Sequence, residues 1–224
     1  MGKALVYCSG PMFDPGDKYD QQQVNDALQK AGYDTYLPQR DGIEIGAMMN
    51  MLKKPIIEAT FFTKAVTAIQ RAGFSMDVYQ VVEATDALVF NMNGRVPDEG
   101  SVMETATAYA IGKPIVVYKD TPITAQGNFD NPMIQGLSTT WENVGSYDAI
   151  APALDARIAA VKAEGYTFTP SKSMQAVIDY GRKVQTMTGD IKKLVADVEH
   201  AVQHEDVTKL PGIFKDLEKL LGEL

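Results

Sequence analysis

Residues 85–118 read TDALVFNMNGRVPDEGSVMETATAYAIGKPIVVY. A strand expected over 86–91, with the apolar run Ala87–Phe90 inside it, gives way to a loop. A helical pattern then runs through Thr105, Ala106, Ala108 and Ile111 and is stopped by Gly112 and Pro114, and a second apolar run follows at Ile115–Tyr118. Two short buried strands joined by one helix make the crossover that parallel strands require. Inside the crossover, Asp98-Glu99-Gly100-Ser101-Val102-Met103-Glu104 offers an acid, a glycine turn, a hydroxyl and a second acid where strand runs into helix. That is the rim at which open α/β sheets bind ligands.

The flanking sequence extends the same alternation. Ala4–Cys8 reads as a buried strand ending in the turn-rich loop SGPMFDPGD. A helix is expected from about Tyr19 to Ala31, with Val24, Ala27 and Leu28 on one face and Gly32 beyond its end. A strand at Tyr33–Leu37 and the loop PQRDG follow. Residues 43–73 read as helical, with Met48, Met49 and Met51 and a break at Pro55; core or subunit contact and a mobile wall over a substrate are both open for these methionines. A helix over Asp77–Thr85 would lead into the strand at 86–91. The expected fold is α/β, a doubly wound, flavodoxin-like, mostly parallel sheet with helices on both faces. After the polar stretch 119–139, helices are expected at 149–165, 173–180 and 190–203. The expected division is an α/β catalytic domain over 1–148 and a C-terminal helical extension over 149–224, packed on the same domain or on a neighbouring subunit.

With 224 residues the chain is long enough for a substantial core. A formal net charge of -8 argues against nucleic acid as partner, since nothing attracts a phosphate backbone without regard to sequence. Cys8 is the only cysteine, so neither an intrachain disulfide nor a cysteine metal cluster is expected. No charged leader and no apolar run of membrane-spanning length is recognisable, and a cytoplasmic, membrane-free setting is the expectation. Neither a GxGxxG fingerprint nor a GxxxxGK[ST] loop occurs.

The acids have two readings. Asp98 and Glu104 at a helix start could simply complement its positive end. Alternatively, two carboxylates in one pocket can have separated pKa values, one acting as nucleophile or base. Asp77 is either a cap or a third acid at the same rim. Gly10 serves a tight turn or a close ligand approach. Tyr7 and Phe13 either sandwich a flat ring or belong to the core. Arg40 and Arg95 either meet an anion or form structural ion pairs. His200 and His204, four apart on a helix, lack a third ligand, and no metal is expected.

Taken together, YCSGPMF, Asp77, NGRVPDEGSVMETATAYAIGKPIVV and NPM resemble the nucleoside 2-deoxyribosyltransferase family over about residues 3–135. The resemblance implies transfer of a 2-deoxyribosyl group between nucleobases through a covalent sugar–enzyme intermediate, without cofactor. It implies Glu104 as nucleophile, Asp98 as the acid that binds sugar hydroxyls, Asp77 as the acid on the base, and Tyr7 as a hydrogen-bond partner of the nucleophile. It further implies Gly10, Phe13, Gln39, Gly100 and Ser101 on the substrate, with Phe13 and Gln39 on the base. Asn131 and Met133 would reach a neighbouring subunit's site, in a homo-oligomer that is at least a dimer. Asn93 stands where close relatives would carry aspartate, and Ser101 where threonine is more usual. The partners implied are a deoxynucleoside and a free nucleobase, with purines accepted. The rival readings are an N-glycosidase hydrolysing deoxynucleosides or their 5'-monophosphates, and a non-catalytic nucleotide or nucleobase sensor.

Overall fold

The computed structural model describes residues 3–43, 59–94, 97–121, 130–165, 167–204 and 206–222. The methionines at 48, 49 and 51, Pro55 and Arg95 lie outside the described residues. The chain forms two compact units: one from the N-terminus to Asp41 together with Gln80–Pro170, the other Gly42–Tyr79 together with Ser171 to the C-terminus.

The first unit is built on a sheet of four strands, β1 (Leu5–Ser9), β2 (Asp34–Tyr36), β3 (Ala87–Asn91) and β4 (Ile115–Tyr118), in the order β2-β1-β3-β4. Every pairing is parallel, with Tyr7 opposite Tyr36 and Leu88, and Phe90 opposite Val117. The chain moves from β1 to β2 on one side and then to β3 on the other, so the connections leaving β1 and β3 diverge. The carboxyl ends of the strands at such a switch point are where open α/β sheets bind ligands.

Both faces of the sheet are covered, which is why β1, β3 and β4 read as largely apolar runs. On one face Val6, Cys8, Ala87, Val89 and Val116 pack with Val24 and Leu28 of α1 (Pro15–Lys30) and with Ile150 and Leu154 of α6 (Tyr147–Glu164). On the other, Tyr7, Leu88, Phe90, Met92, Ile115 and Val117 pack with Ala108 of α4 (Glu99–Ala110) and Val81 of a π-helical turn, Gln80–Ala84. The doubly wound, flavodoxin-like sheet is present as expected.

Several local expectations need correction. The first helix begins at Pro15, not Tyr19: Asp14 caps it, its carboxylate accepting from the Asp17 N–H at 2.9 Å while Asp17 answers in a capping box. The residues that read as turn signals are therefore a helix start. PQRDG is not a loop but a helical turn, α2 (Pro38–Asp41). The two helices expected over 173–203 are one helix, α7 (Lys172–Gln203). Gly181 does not break it; a side chain there would come within 1.9 Å of the Ser75 carbonyl, so the glycine permits α7 to lie close against α3 (Ala59–Tyr79). In this second unit, Ile69, Ala72 and Met76 of α3 share a core with Val184, Ile191 and Val198 of α7 and with Phe214 and Leu217 of α8 (Leu210–Leu221), the last named after the small α5 (Pro132–Gln135).

The boundary expected at 148 does not coincide with this division. Ile150, Ala151 and Leu154 of α6 belong to the sheet's own core, so the sheet unit continues to Pro170. The helical unit takes residues 42–79 as well as 171 onward. Among the described residues, no helix is long and apolar enough to cross a membrane.

Candidate active site

Strand alternation sends Tyr7 and Ser9 to the same face of β1, toward α4, and both are fully buried. Glu104 lies on α4, half-buried, one turn beyond the helix start. The Tyr7 hydroxyl donates to Glu104 Oε1 at 2.9 Å and the Ser9 hydroxyl to Oε2 at 2.6 Å. Hydroxyl donors on both oxygens fix the plane of the carboxylate and stabilise its charge. The Tyr7 ring is itself held by stacking on Tyr36, with centroids 5.3 Å apart.

Asp98 is the N-cap of α4 and half-buried; its Oδ2 accepts from the Ser101 N–H at 2.7 Å and the Ser101 hydroxyl at 2.6 Å. The capping reading of this acid is thus physically real, and it holds the carboxylate at the amino-terminal end of the same helix that carries Glu104. Gly100 lies in this first turn, where a Cβ would stand 3.3 Å from Asp98 Oδ2. Gly10 is required for close packing: a Cβ there would meet Gln21 Nε2 at 2.1 Å and Asn91 Cβ at 2.9 Å.

The other candidates are placed as follows. Phe13 is 81 % exposed, its N–H bound to Asp17 at 3.1 Å. Gln39 donates through Nε2 to the Lys18 carbonyl at 3.1 Å, and its buried Oε1 has no hydrogen-bond partner among the described residues. Asn131 caps α5 by accepting from the Met133 N–H at 2.9 Å, and Met133 is 81 % exposed. The chain before Asn131 is anchored by a buried ion pair, Lys119 Nζ to Asp130 Oδ1, at 2.5 Å. Asp77 lies on α3, in the second unit, half-buried. Arg40 pairs with Asp41 at 2.6 Å, the structural alternative of its two readings. Burial pushes the Cys8 thiol up to about 12, which leaves it an inert core group on the face away from Glu104. His200 and His204 stack on one another, ring centroids 4.1 Å apart. Among the described residues there is no cluster of His, Cys, Asp and Glu able to hold a metal.

The reading of the sequence missed Ser9. The signal was available, because the residue two beyond Tyr7 on a strand must share its face. The asparagine at 93 also has a physical reason. Its Nδ2 donates to Asp20 Oδ2 at 3.3 Å and its Oδ1 accepts from the Asp120 N–H at 3.1 Å. An aspartate could accept but not donate, and would set a second carboxylate against Asp20.

A family model for nucleoside 2-deoxyribosyltransferase matches residues 6–134, more than half of the chain. The chain belongs to the nucleoside 2-deoxyribosyltransferase family. The matched region holds β1 to β4 and the Tyr7–Ser9–Glu104 cluster, and it runs to the start of α5. Among solved structures, a conserved protein from Enterococcus faecalis V583 is similar, 22 % identical with a TM-score of 0.46, covering 68 % of this chain and 98 % of its own. No curated protein matches the chain.

Proposed function

We propose that this member of the family exchanges the nucleobase of a 2'-deoxyribonucleoside through a covalent deoxyribosyl–Glu104 intermediate, with purines among its bases. The observation that carries the reading is the half-buried Glu104 carboxylate, held at each oxygen by a hydroxyl from β1. A fixed, charge-stabilised carboxylate on the helix after β3 suits attack on an anomeric carbon. As the bond to the base breaks, an oxocarbenium-like sugar develops that an ionised carboxylate stabilises and then captures.

In this reading the Glu104 electron pair forms the bond to C1' while the C1'–N pair leaves with the base. Asp98, locked as the N-cap, is the acid we assign to the sugar hydroxyls, with Gly100 and Ser101 completing its turn. Asp77 is assigned to the base, where it supplies the proton that eases departure. Gln39, whose buried acceptor is unused among the described residues, and Phe13 are assigned to the base pocket. A second base then displaces Glu104, and two inversions return the original configuration. Exchange requires that this base arrive before water. The exposed Met133 and the capped Asn131 are assigned to a neighbouring copy's site, which makes the working enzyme a homo-oligomer. No cofactor enters these steps, and a cytoplasmic salvage role for deoxynucleosides follows from the same assignment.

The test is to incubate the purified protein with deoxyinosine, with and without adenine, and to separate the products by chromatography. Deoxyadenosine formed only when adenine is present supports exchange. Free deoxyribose without deoxyadenosine supports the hydrolase instead, and binding without turnover supports the sensor.

A further inference from the structure

Resting on that reading, we propose that Ser9 is a positioning residue for the Glu104 nucleophile, acting as a second donor alongside Tyr7. Ser9 is fully buried at the last position of β1. Its hydroxyl has two acceptors within range, Glu104 Oε2 at 2.6 Å and the Ser101 carbonyl at 3.4 Å. The Ser101 carbonyl already accepts from the Thr105 hydroxyl at 2.7 Å. The Ser9 proton goes to the carboxylate because that bond is the shorter of the two and is charge-assisted.

The consequence is mechanical as well as electrostatic. Tyr7 and Ser9 are two positions apart on one strand, and that strand is paired on both sides. Their hydroxyls form a two-point clamp that moves with the sheet rather than with a loop. Glu104 on α4 is thereby referenced to β1, and its plane does not have to be ordered when the substrate arrives. In the second half of the exchange, the incoming base's nitrogen pair forms the new C1'–N bond and its N–H proton goes to Asp77, which gave its own to the departing base. The C1'–O pair meanwhile returns to Glu104, where the Ser9 O–H is already aimed at Oε2. Ser9 keeps its own proton throughout.

The contact is to the nucleophile and not to the sugar or base, so loss of Ser9 should lower kcat without weakening substrate binding. Losing one charge-assisted hydrogen bond corresponds to roughly a tenfold loss in rate. The experiment compares wild type, Ser9→Ala and Ser9→Thr in steady-state base exchange, with thermal melts of each. The expected result is a kcat about tenfold lower in Ser9→Ala, a deoxynucleoside KM within about twofold of wild type, and most of the kcat regained in Ser9→Thr, which keeps the hydroxyl. An unchanged kcat in Ser9→Ala overturns the proposal. So does a loss that Ser9→Thr fails to repair, or one in which KM rises and the melting temperature falls together, since a packing role alone would give that. A wild type that exchanges bases while Ser9→Ala does so equally well removes only Ser9. A wild type that exchanges no base removes the transferase reading and this proposal with it.

Discussion

Two tyrosine–carboxylate pairs sit at opposite ends of the same sheet, and they serve different ends. At the amino-terminal rim the Tyr33 hydroxyl donates to Asp155 Oδ1 at 2.7 Å, and Lys3 pairs with the same carboxylate at 3.3 Å. Nearby, the Leu5 N–H donates to Asp86 Oδ2 at 2.8 Å, and Lys113 Nζ donates to the Thr85 carbonyl. Burial and the Asp155 partner together push the Tyr33 phenol far above its ordinary value. The hydrogen bond from Tyr33, and then Lys3, hold Asp155 below the usual carboxylate range. The Asp155 contacts tie the residues just before β1 and β2 to α6. At the carboxyl-terminal rim, Tyr7 and Ser9 instead converge on one half-buried carboxylate beside the capped Asp98. One pair joins a helix to the sheet's amino-terminal rim; the other fixes a carboxylate at the switch point, where we propose that it acts. The same bond type differs in role because the loops leaving β1 and β3 diverge only at the carboxyl end.

The sharpest way to break this contrast is to remove the presented carboxylate. Glu104→Ala should cut base exchange by more than about a thousandfold while the circular dichroism spectrum stays that of the wild type, as expected when a covalent nucleophile is lost. Activity retained above that level would place the chemistry elsewhere.

A matched pair of substitutions tests the two rims directly. Tyr7→Phe should lower kcat by about ten- to a hundredfold, because it removes a donor from the nucleophile. Tyr33→Phe should leave kcat within about twofold and lower only the melting temperature. Equal effects on kcat would erase the distinction between the rims.

The fold was legible because buried parallel strands must be apolar on both faces, and Ala4–Cys8, Ala87–Phe90 and Ile115–Tyr118 are. The spacing of Asp98 and Glu104 was legible too, as the first turns of one helix. What local sequence hid was tertiary. Asp14-Pro15-Gly16-Asp17 has the composition of a turn and the geometry of a capping box. Gly181 has the composition of a helix break, yet it marks where α3 comes close. Residues 149–164 looked like the start of an extension, whereas Ile150 and Leu154 complete the sheet's core. Ser9 was lost within a loop-like string because its importance comes from a helix 95 residues away in sequence.

Gly10 offers a smaller, structural effect at the carboxyl rim. Gly10→Ala would drive a methyl group into the Gln21 amide and should destabilise the protein by about 2 kcal/mol in denaturant unfolding. Gly10→Ala combined with Gln21→Ala should recover much of that loss, and failure to recover would show that the close approach of Asn91 Cβ rather than Gln21 sets the constraint.

The amino-terminal rim supplies the smallest effect, a dependence on pH. Burial lowers Lys113 to about 8 from an ordinary 10.5, with Asp86 opposing the shift. Between those values the unfolded chain binds more protons than the folded one, so this group's contribution rises as pH increases. Relative to Lys113→Met, wild-type stability should therefore climb by on the order of 1 kcal/mol from pH 8 to pH 10. A difference between the two proteins that stays flat over that window would mean that Lys113 is not buried as described.

The central claim is that Glu104 takes the sugar. The direct measurement is to mix the protein with excess deoxyinosine in the absence of an acceptor base, quench in acid within the first turnovers, digest, and map the peptides by mass spectrometry. The account predicts a deoxyribosyl ester on Glu104 that disappears when adenine is added before the quench. Turnover with no modified peptide, or with the sugar on a different residue, would contradict it.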